Sequence, residues 1–166
     1  MTQAIEGSAI HTAVIGCGNT NRSDDGVGPF IVKLLQSKVD ADGVALFDAG
    51  TDGMSVMYHA RGISRLIIVD AQAVGDNPGA IYEVPGEVLE SPPSSSINLH
   101  DFRWDNALFA GRKIYGEDFP SDVKVFLVEA ENLDLGLDLS ASVASSAQLV
   151  ADQIAGLIAQ PVEALL

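Results

Sequence analysis

The stretch HTAVIGCGNTNRSDDGVGPF, residues 11–30, predicts the way in which this chain begins to fold. An apolar run from His11 to Ile15 is typical of a β-strand, and a glycine-rich loop from Gly16 to Gly28 follows it. Apolar residues then recur at helical spacing. Pro29 must lie in the first turn of that helix, because a later proline would break it. The stretch therefore predicts a strand, a loop and a helix.

The same alternation of strands and helices continues along the chain. We predict further strands at Val44–Phe47, Leu66–Val69, Ala80–Val84 and Val123–Val128, and helices near residues 54–61, 101–110 and 143–158. Leu66–Val69 is apolar throughout, which indicates a strand buried on both faces, and Ala80–Val84 follows closely enough to be antiparallel or an edge strand. Pro85–Leu99 is polar and rich in proline and serine, so we predict a long mobile loop.

This alternation predicts an α/β fold, a single three-layer α/β/α domain with a mostly parallel twisted sheet flanked by helices. We predict one domain over residues 1–166, with an ordered core from about 10 to 160, a flexible N-terminal leader and a C-terminal tail.

Composition excludes several classes of protein. The 166 residues carry 9 basic and 23 acidic side chains, a net charge of −14, whereas a nucleic-acid-binding protein needs a basic face. No apolar run approaches the roughly 20 residues of a membrane helix, and no secretory signal is recognisable. Cys17 is the single cysteine, which excludes an internal disulfide. We therefore predict a cytoplasmic protein without nucleic-acid or membrane partners.

Ligands of open α/β sheets bind outside the carboxyl ends of the strands. By that rule, the candidate ligand-binding stretches are Gly16–Gly28, Asp48–Gly53 and Asp70 with the residues that follow it. The glycine-rich loop departs from the dinucleotide fingerprint G-x-G-x-x-G, since its third position is Asn21 and its acids would repel a pyrophosphate. Of the adjacent Asp24 and Asp25, we expect one to cap the helix and the other to face the cleft.

Several single residues permit both a structural and a functional interpretation. Asp48 is typical of a turn in which the side chain bonds the backbone two residues on, and Cys17 is expected to be a small buried residue. Asp70 is either a solvated strand-end carboxylate or a site residue, and His100 opens a helix. If Asp25, Asp70 and His100 converge, two carboxylates and an imidazole would suit nickel, zinc or manganese.

The glycine-rich loop resembles the opening motif G-x-G-N-x-x-x-x-D-[DE]-G-x-G of the hydrogenase maturation endopeptidases. Three later segments agree in order with that family, which has a D-G-G-T stretch, an apolar strand ending in D-A and a histidine before a helix. The corresponding segments here are Asp48–Thr51, Ile67–Ala71 and Leu99–Asp101. The resemblance covers about residues 12–160.

The resemblance implies an endopeptidase that removes the C-terminal extension of a nickel–iron hydrogenase large-subunit precursor after nickel has been inserted. It implies that Asp25, Asp70 and His100 read the nickel, that the precursor supplies this nickel, and that Asp25 and Asp70 are candidate catalytic carboxylates. Two residues depart from the pattern, since position 25 is Asp where some relatives have Glu, and Ala49 replaces a glycine. The alternatives are a metallohydrolase with its own divalent ion and a small-ligand-binding α/β domain.

Overall fold

The structure, a computed structural model, describes residues 9–95, 98 and 101–162. In these residues five strands form one sheet in the order β2-β1-β3-β5-β4. The strands are β1 (Thr12–Cys17), β2 (Val44–Gly50), β3 (Arg65–Gln72), β4 (Ile81–Pro85) and β5 (Asp122–Glu129). All neighbours pair in parallel except β4, which runs antiparallel to β5 at the edge of the sheet. The predictions of a mostly parallel sheet and of an antiparallel edge strand are confirmed.

Helices cover both faces of this sheet. They are α1 (Val27–Lys38), α2 (Gly53–Ala60), α3 (Gly86–Leu89), α4 (Trp104–Tyr115) and α5 (Ala141–Ile158). One apolar cluster joins α2 and α4 to Leu66 and Ile68 of β3, and a second joins α1 and α5 to Ile67 and Val69. Successive side chains of a strand point to opposite faces, so β3 is buried on both sides, as its apolar run predicted. The predicted α/β class is confirmed.

Beyond shifts of up to three residues at strand ends, two segments differ from the sequence-based expectation. The prediction of one continuous loop over Pro85–Leu99 is wrong, because α3 occupies its first part. Glu90 then pairs with Arg112 of α4, with 2.6 Å between Oε1 and Nη2, and Asn106 Nδ2 donates to the Ser91 carbonyl at 3.0 Å. The helix predicted from residue 101 begins only at Trp104. Local composition suggested a free loop, whereas contacts with α4 hold the segment as far as residue 91.

Among the described helices, none has the length and apolar character needed to cross a membrane. The extent of the domain and of its flexible ends stays a prediction.

Candidate functional site

A cavity of about 450 Å³ opens at the carboxyl ends of β1 and β2, beside the start of α4. Its walls come from two of the three stretches that the sequence selected, together with the start of α4, whereas Asp70 does not line it; the walls carry acidic, basic and aromatic side chains. The lining residues are Cys17, Asp25, Gly50, Thr51, Asp52, Gly53, Val56, Asp101, Arg103 and Trp104. The sheet therefore places its cleft where parallel α/β folds bind ligands.

Two glycines bring the opening loop close against the strand ends. Gly18 has a φ of +130°, and a Cβ at this position would overlap the carbonyl oxygen of Asp25. At Gly28 a Cβ would overlap the carbonyl oxygens of Cys17 and Val69, which belong to β1 and β3. Only residues without a side chain permit this approach, so the glycine pattern sets how near Asp25 lies to the sheet edge.

The adjacent acids Asp24 and Asp25 have different roles, and one of them faces the cavity, as expected, but neither caps α1. Asp25 is partly exposed and lines the cavity, and its Oδ2 accepts a 2.7 Å hydrogen bond from the Asn19 amide. Asp24 is fully buried and accepts from the amides of Glu131, Asn132 and Ser140 at 2.7–3.0 Å. The expectation that one acid of the pair caps the helix that follows is wrong, because α1 has no side-chain cap and Asp24 holds the segment after β5 instead.

Asp70 is a buried carboxylate inside β3, only 5% exposed. Its Oδ1 accepts from the Ala71 amide at 2.7 Å and its Oδ2 from Trp104 Nε1 at 2.8 Å, while Arg103 Nη2 lies 3.7 Å from Oδ2. The interpretation as a solvated strand-end carboxylate is wrong, because β3 continues two residues further and Trp104 covers the side chain.

Burial governs the charge state of Asp70. Desolvation raises its pKa from 3.8 to about 6, the nearby Asp25 charge adds to this, and the hydrogen bonds from Trp104 and Ala71 and the charge of Arg103 oppose it. A carboxylate with a pKa near 6 is largely ionised at neutral pH but binds a proton more readily than a free carboxylate. Such a group suits proton transfer.

Two other predicted roles are tested by the geometry. Cys17 is buried, and burial with the charges of Asp70 and Asp48 raises its thiol pKa well above the usual value. A protonated buried thiol is a poor nucleophile, so the prediction of a small buried residue is confirmed. Asp48 Oδ1 accepts from the Gly50 amide at 2.9 Å, which confirms the predicted side-chain turn.

The structure brings together two of the three residues of the predicted metal-reading set. Asp25 and Asp70 lie close enough for the charge of one to act on the other, and His100 lies outside the described residues. Within the described ranges, no group of three or more His, Cys, Asp and Glu side chains could hold a metal ion. The roles assigned to Asp25, Asp70 and His100 stay predictions.

Sequence reasoning missed Arg103 and Trp104, which lie at the start of α4 and line the cavity. Both contact Asp70, although 33 and 34 residues separate them from it in the sequence. Two features of the sequence could have drawn attention to these residues. Trp104 is the only tryptophan, and Arg103 is one of only 9 basic residues.

Comparisons with known proteins agree on one family. A family model described as hydrogenase maturation protease matches residues 29–157. The hydrogenase 2 maturation protease of Escherichia coli is 28% identical over 143 residues, 85% of this chain and 86% of that protein. The coenzyme F420 hydrogenase subunit delta of Methanothermobacter thermautotrophicus is 32% identical over 93 residues, 52% of this chain and 58% of that protein.

Solved structures support the same comparison. The hydrogenase maturating endopeptidase HybD from E. coli superposes with a TM-score of 0.76 at 25% identity, over 90% of this chain and 92% of that one. Several relatives are longer than the region that they share with this chain, which spans only 50% to 61% of the length of four of them.

Proposed function

The chain belongs to the hydrogenase maturation protease family, and we propose that it removes the C-terminal extension of a nickel-loaded hydrogenase large-subunit precursor. The observation that carries this proposal is that buried Asp70 lies behind the cavity wall, in contact with Trp104 and close enough to the cavity-lining Asp25 for the charge of Asp25 to raise its pKa. The proposal includes recognition of the nickel that the precursor already holds. The cytoplasmic location predicted from the sequence belongs to the same proposal.

Nickel is part of the substrate in this proposal. Two carboxylates and one imidazole are weak ligands by themselves, but a nickel ion partly bound by substrate thiolates can complete its shell with oxygen and nitrogen ligands. Asp25 and Asp70 offer the oxygens, and His100 is proposed to offer the nitrogen. Cleavage would then depend on nickel insertion, because the ion is part of the surface that the protease recognises.

The protein's own groups have defined tasks in the cleavage step. Hydrolysis of the scissile peptide needs a water molecule that loses a proton as it attacks the carbonyl carbon, and a carboxylate can accept that proton and pass it to the amine nitrogen as the C–N bond breaks. We propose that one oxygen of Asp70 binds the nickel and the other accepts this proton, since Ala71 and Trp104 orient the two oxygens and the pKa of Asp70 is about 6. Asp25 is partly exposed and lines the cavity, where it can contact the substrate. Cys17 is too buried to attack as a nucleophile.

The decisive experiment compares nickel-loaded and nickel-free forms of one large-subunit precursor. Each is incubated with the purified protein, and mass spectrometry follows release of the C-terminal peptide. We expect release only from the nickel-loaded form. Efficient cleavage of the nickel-free precursor would refute nickel recognition, and no cleavage of either form would refute the proposed activity on that client.

The alternative of a free-standing metallohydrolase makes a different prediction for the protein alone. Such an enzyme would keep a stoichiometric divalent ion through dialysis, which elemental analysis detects. A small-ligand-binding domain would instead be stabilised by its ligand, and a thermal-shift screen with nucleotides tests that reading.

A further inference from the structure

One positive charge lies at the cavity wall between two carboxylates. Arg103 Nη2 is 3.7 Å from Asp70 Oδ2, and Arg103 Nε is 3.9 Å from Asp105 Oδ1. The Arg103 side chain is 66% exposed, whereas that of Asp70 is 7% exposed. The cation can therefore move into solvent, while the carboxylate beside it is fixed.

The contacts of Asp70 separate the groups that position it from the group that balances its charge. The Ala71 amide and the Trp104 indole N–H hold its oxygens at 2.7 and 2.8 Å, within ordinary hydrogen-bond distance. Arg103 is too far away for a hydrogen bond and acts through its charge alone. Departure of the guanidinium would therefore leave the carboxylate oriented.

Asp105 offers the guanidinium a second position. Its Oδ1 is buried and has no hydrogen-bond partner among the described residues, although a buried polar atom usually has one. Because Arg103 Nε is already 3.9 Å from this oxygen, a small rotation of the side chain would form the missing hydrogen bond. The Arg103 guanidinium, at the start of α4, can thus bind either Asp70 or Asp105.

We propose that Arg103 is a specificity-determining residue, whose guanidinium neutralises Asp70 in the free protein and moves to Asp105 when a substrate-held metal arrives. This inference rests on the proposed function and adds a reason for selectivity. A free divalent cation must displace a tethered positive charge and gains few ligands in return. A metal held by a docked polypeptide brings the contacts of that polypeptide as well, which offset the displacement.

The test measures binding of free Ni²⁺ to the full chain in the absence of any precursor. Equilibrium dialysis against nickel chloride gives the affinity, and fluorescence of Trp104, the only tryptophan, reports on the environment of Asp70. We expect Arg103→Gln to bind Ni²⁺ about tenfold more tightly than the wild type, since the competing charge is gone. Arg103→Lys should restore weak binding.

Two further variants separate this role from a general effect of charge. Asp105→Asn should bind Ni²⁺ about threefold more weakly than the wild type, because the displaced guanidinium loses its second carboxylate. Lys113→Gln removes the same charge from the same helix, about 15 Å further along it, and should stay within about twofold of the wild type.

The proposal is wrong if Arg103→Gln binds Ni²⁺ no more tightly than the wild type, including the case in which neither binds measurably. It is also wrong if Lys113→Gln reproduces the gain or if Asp105→Asn tightens binding. Circular dichroism of each variant confirms that the fold is kept. Failure of the protein to cut a nickel-loaded precursor would refute the proposed function without altering these affinities, so the two failures are distinguishable.

Discussion

Replacement of Asp24 by asparagine should destabilise the protein although the change is nearly isosteric. The Asp24 carboxylate is fully buried, and Oδ2 accepts from the amides of Glu131 and Asn132 at 2.9 and 3.0 Å. Oδ1 accepts from the Ser140 amide at 2.7 Å, and the Ser140 hydroxyl reaches both oxygens at 3.1 and 2.9 Å. The carboxylate therefore ties the opening loop to the segment after β5 and to the N-cap of α5.

The size of the effect follows from the donors that asparagine leaves unpaired. Its amide has one acceptor oxygen, which can keep the pair from Glu131 and Asn132, but its NH₂ group then faces the Ser140 N–H. A hydrogen bond to a charged group is worth about 1.5–3 kcal/mol, and a buried unpaired donor costs about 1–3 kcal/mol. Since such terms overlap, we expect a loss of about 3 kcal/mol. In a chain of this length that loss corresponds to a Tm lower by about 6–12 °C.

The assay is thermal and urea unfolding of Asp24→Asn beside the wild type. For an m-value of about 2 kcal/mol/M, the urea midpoint should fall by about 1.5 M without a change in m. Asp25→Asn is the matched control, because Asp25 is partly exposed and should lose less than about 1 kcal/mol. A Tm of Asp24→Asn within 2 °C of the wild type, by roughly the scale above, would refute the structural role assigned to Asp24.

Four further predictions concern the candidate site, three of them on processing of the precursor and one on stability. Asp25→Asn, Asp70→Asn and His100→Ala should each abolish release of the C-terminal peptide while circular dichroism stays native; near-normal processing would remove that residue from the site. The pKa of Asp70, about 6, predicts that kcat/KM rises as the pH increases through about 6, because the ionised carboxylate is the active base; a profile that is flat from pH 5 to 8 would contradict this. Because the pKa of Asp70 is higher in the folded protein, protonated Asp70 favours folding; this contribution to stability is fully present below about pH 4 and lost as the pH rises through about 6. Between those pH values, the Tm of Asp70→Asn should therefore depend less on pH than the Tm of the wild type. Trp104→Phe removes the 2.8 Å hydrogen bond to Asp70 and keeps an aromatic ring, so kcat/KM should fall about tenfold, together with a loss of about 1.5–3 kcal/mol in stability because the bond is made to a buried charged group; unchanged kinetics would show that the indole N–H does not position Asp70.

Much of the fold could be predicted because its signals are local. Short apolar runs identified all five described strands, and helical spacing identified α1 and α5 to within a few residues. The segment from Pro85 was misjudged because its order depends on partners far away in the sequence. Its prolines and serines indicate a loop, whereas the pairing of Glu90 with Arg112 depends on where α4 packs.

The site could be predicted only as far as the topology rule reaches. Parallel strands present their carboxyl ends at one edge, which was enough to select the regions around Asp25 and Asp70. Which acid of the pair at 24 and 25 faces the cavity was not decided by spacing, because the partners of Asp24 lie 107 to 116 residues away. Long-range hydrogen bonds of this kind leave no local pattern.

The environment of Asp70 shows why the missing part matters for function. An acid after an apolar strand is indistinguishable in the sequence from a solvated one, and only the packing of α4 on the sheet buries it. That packing brings two neighbouring residues to one carboxylate, a neutral donor in Trp104 and a cation in Arg103. A single lysine could both orient Asp70 and neutralise it, but its departure would then release the carboxylate as well. Division of the two tasks between neighbours allows the charge to leave while Asp70 stays oriented, which the proposed recognition of a substrate-held metal would require.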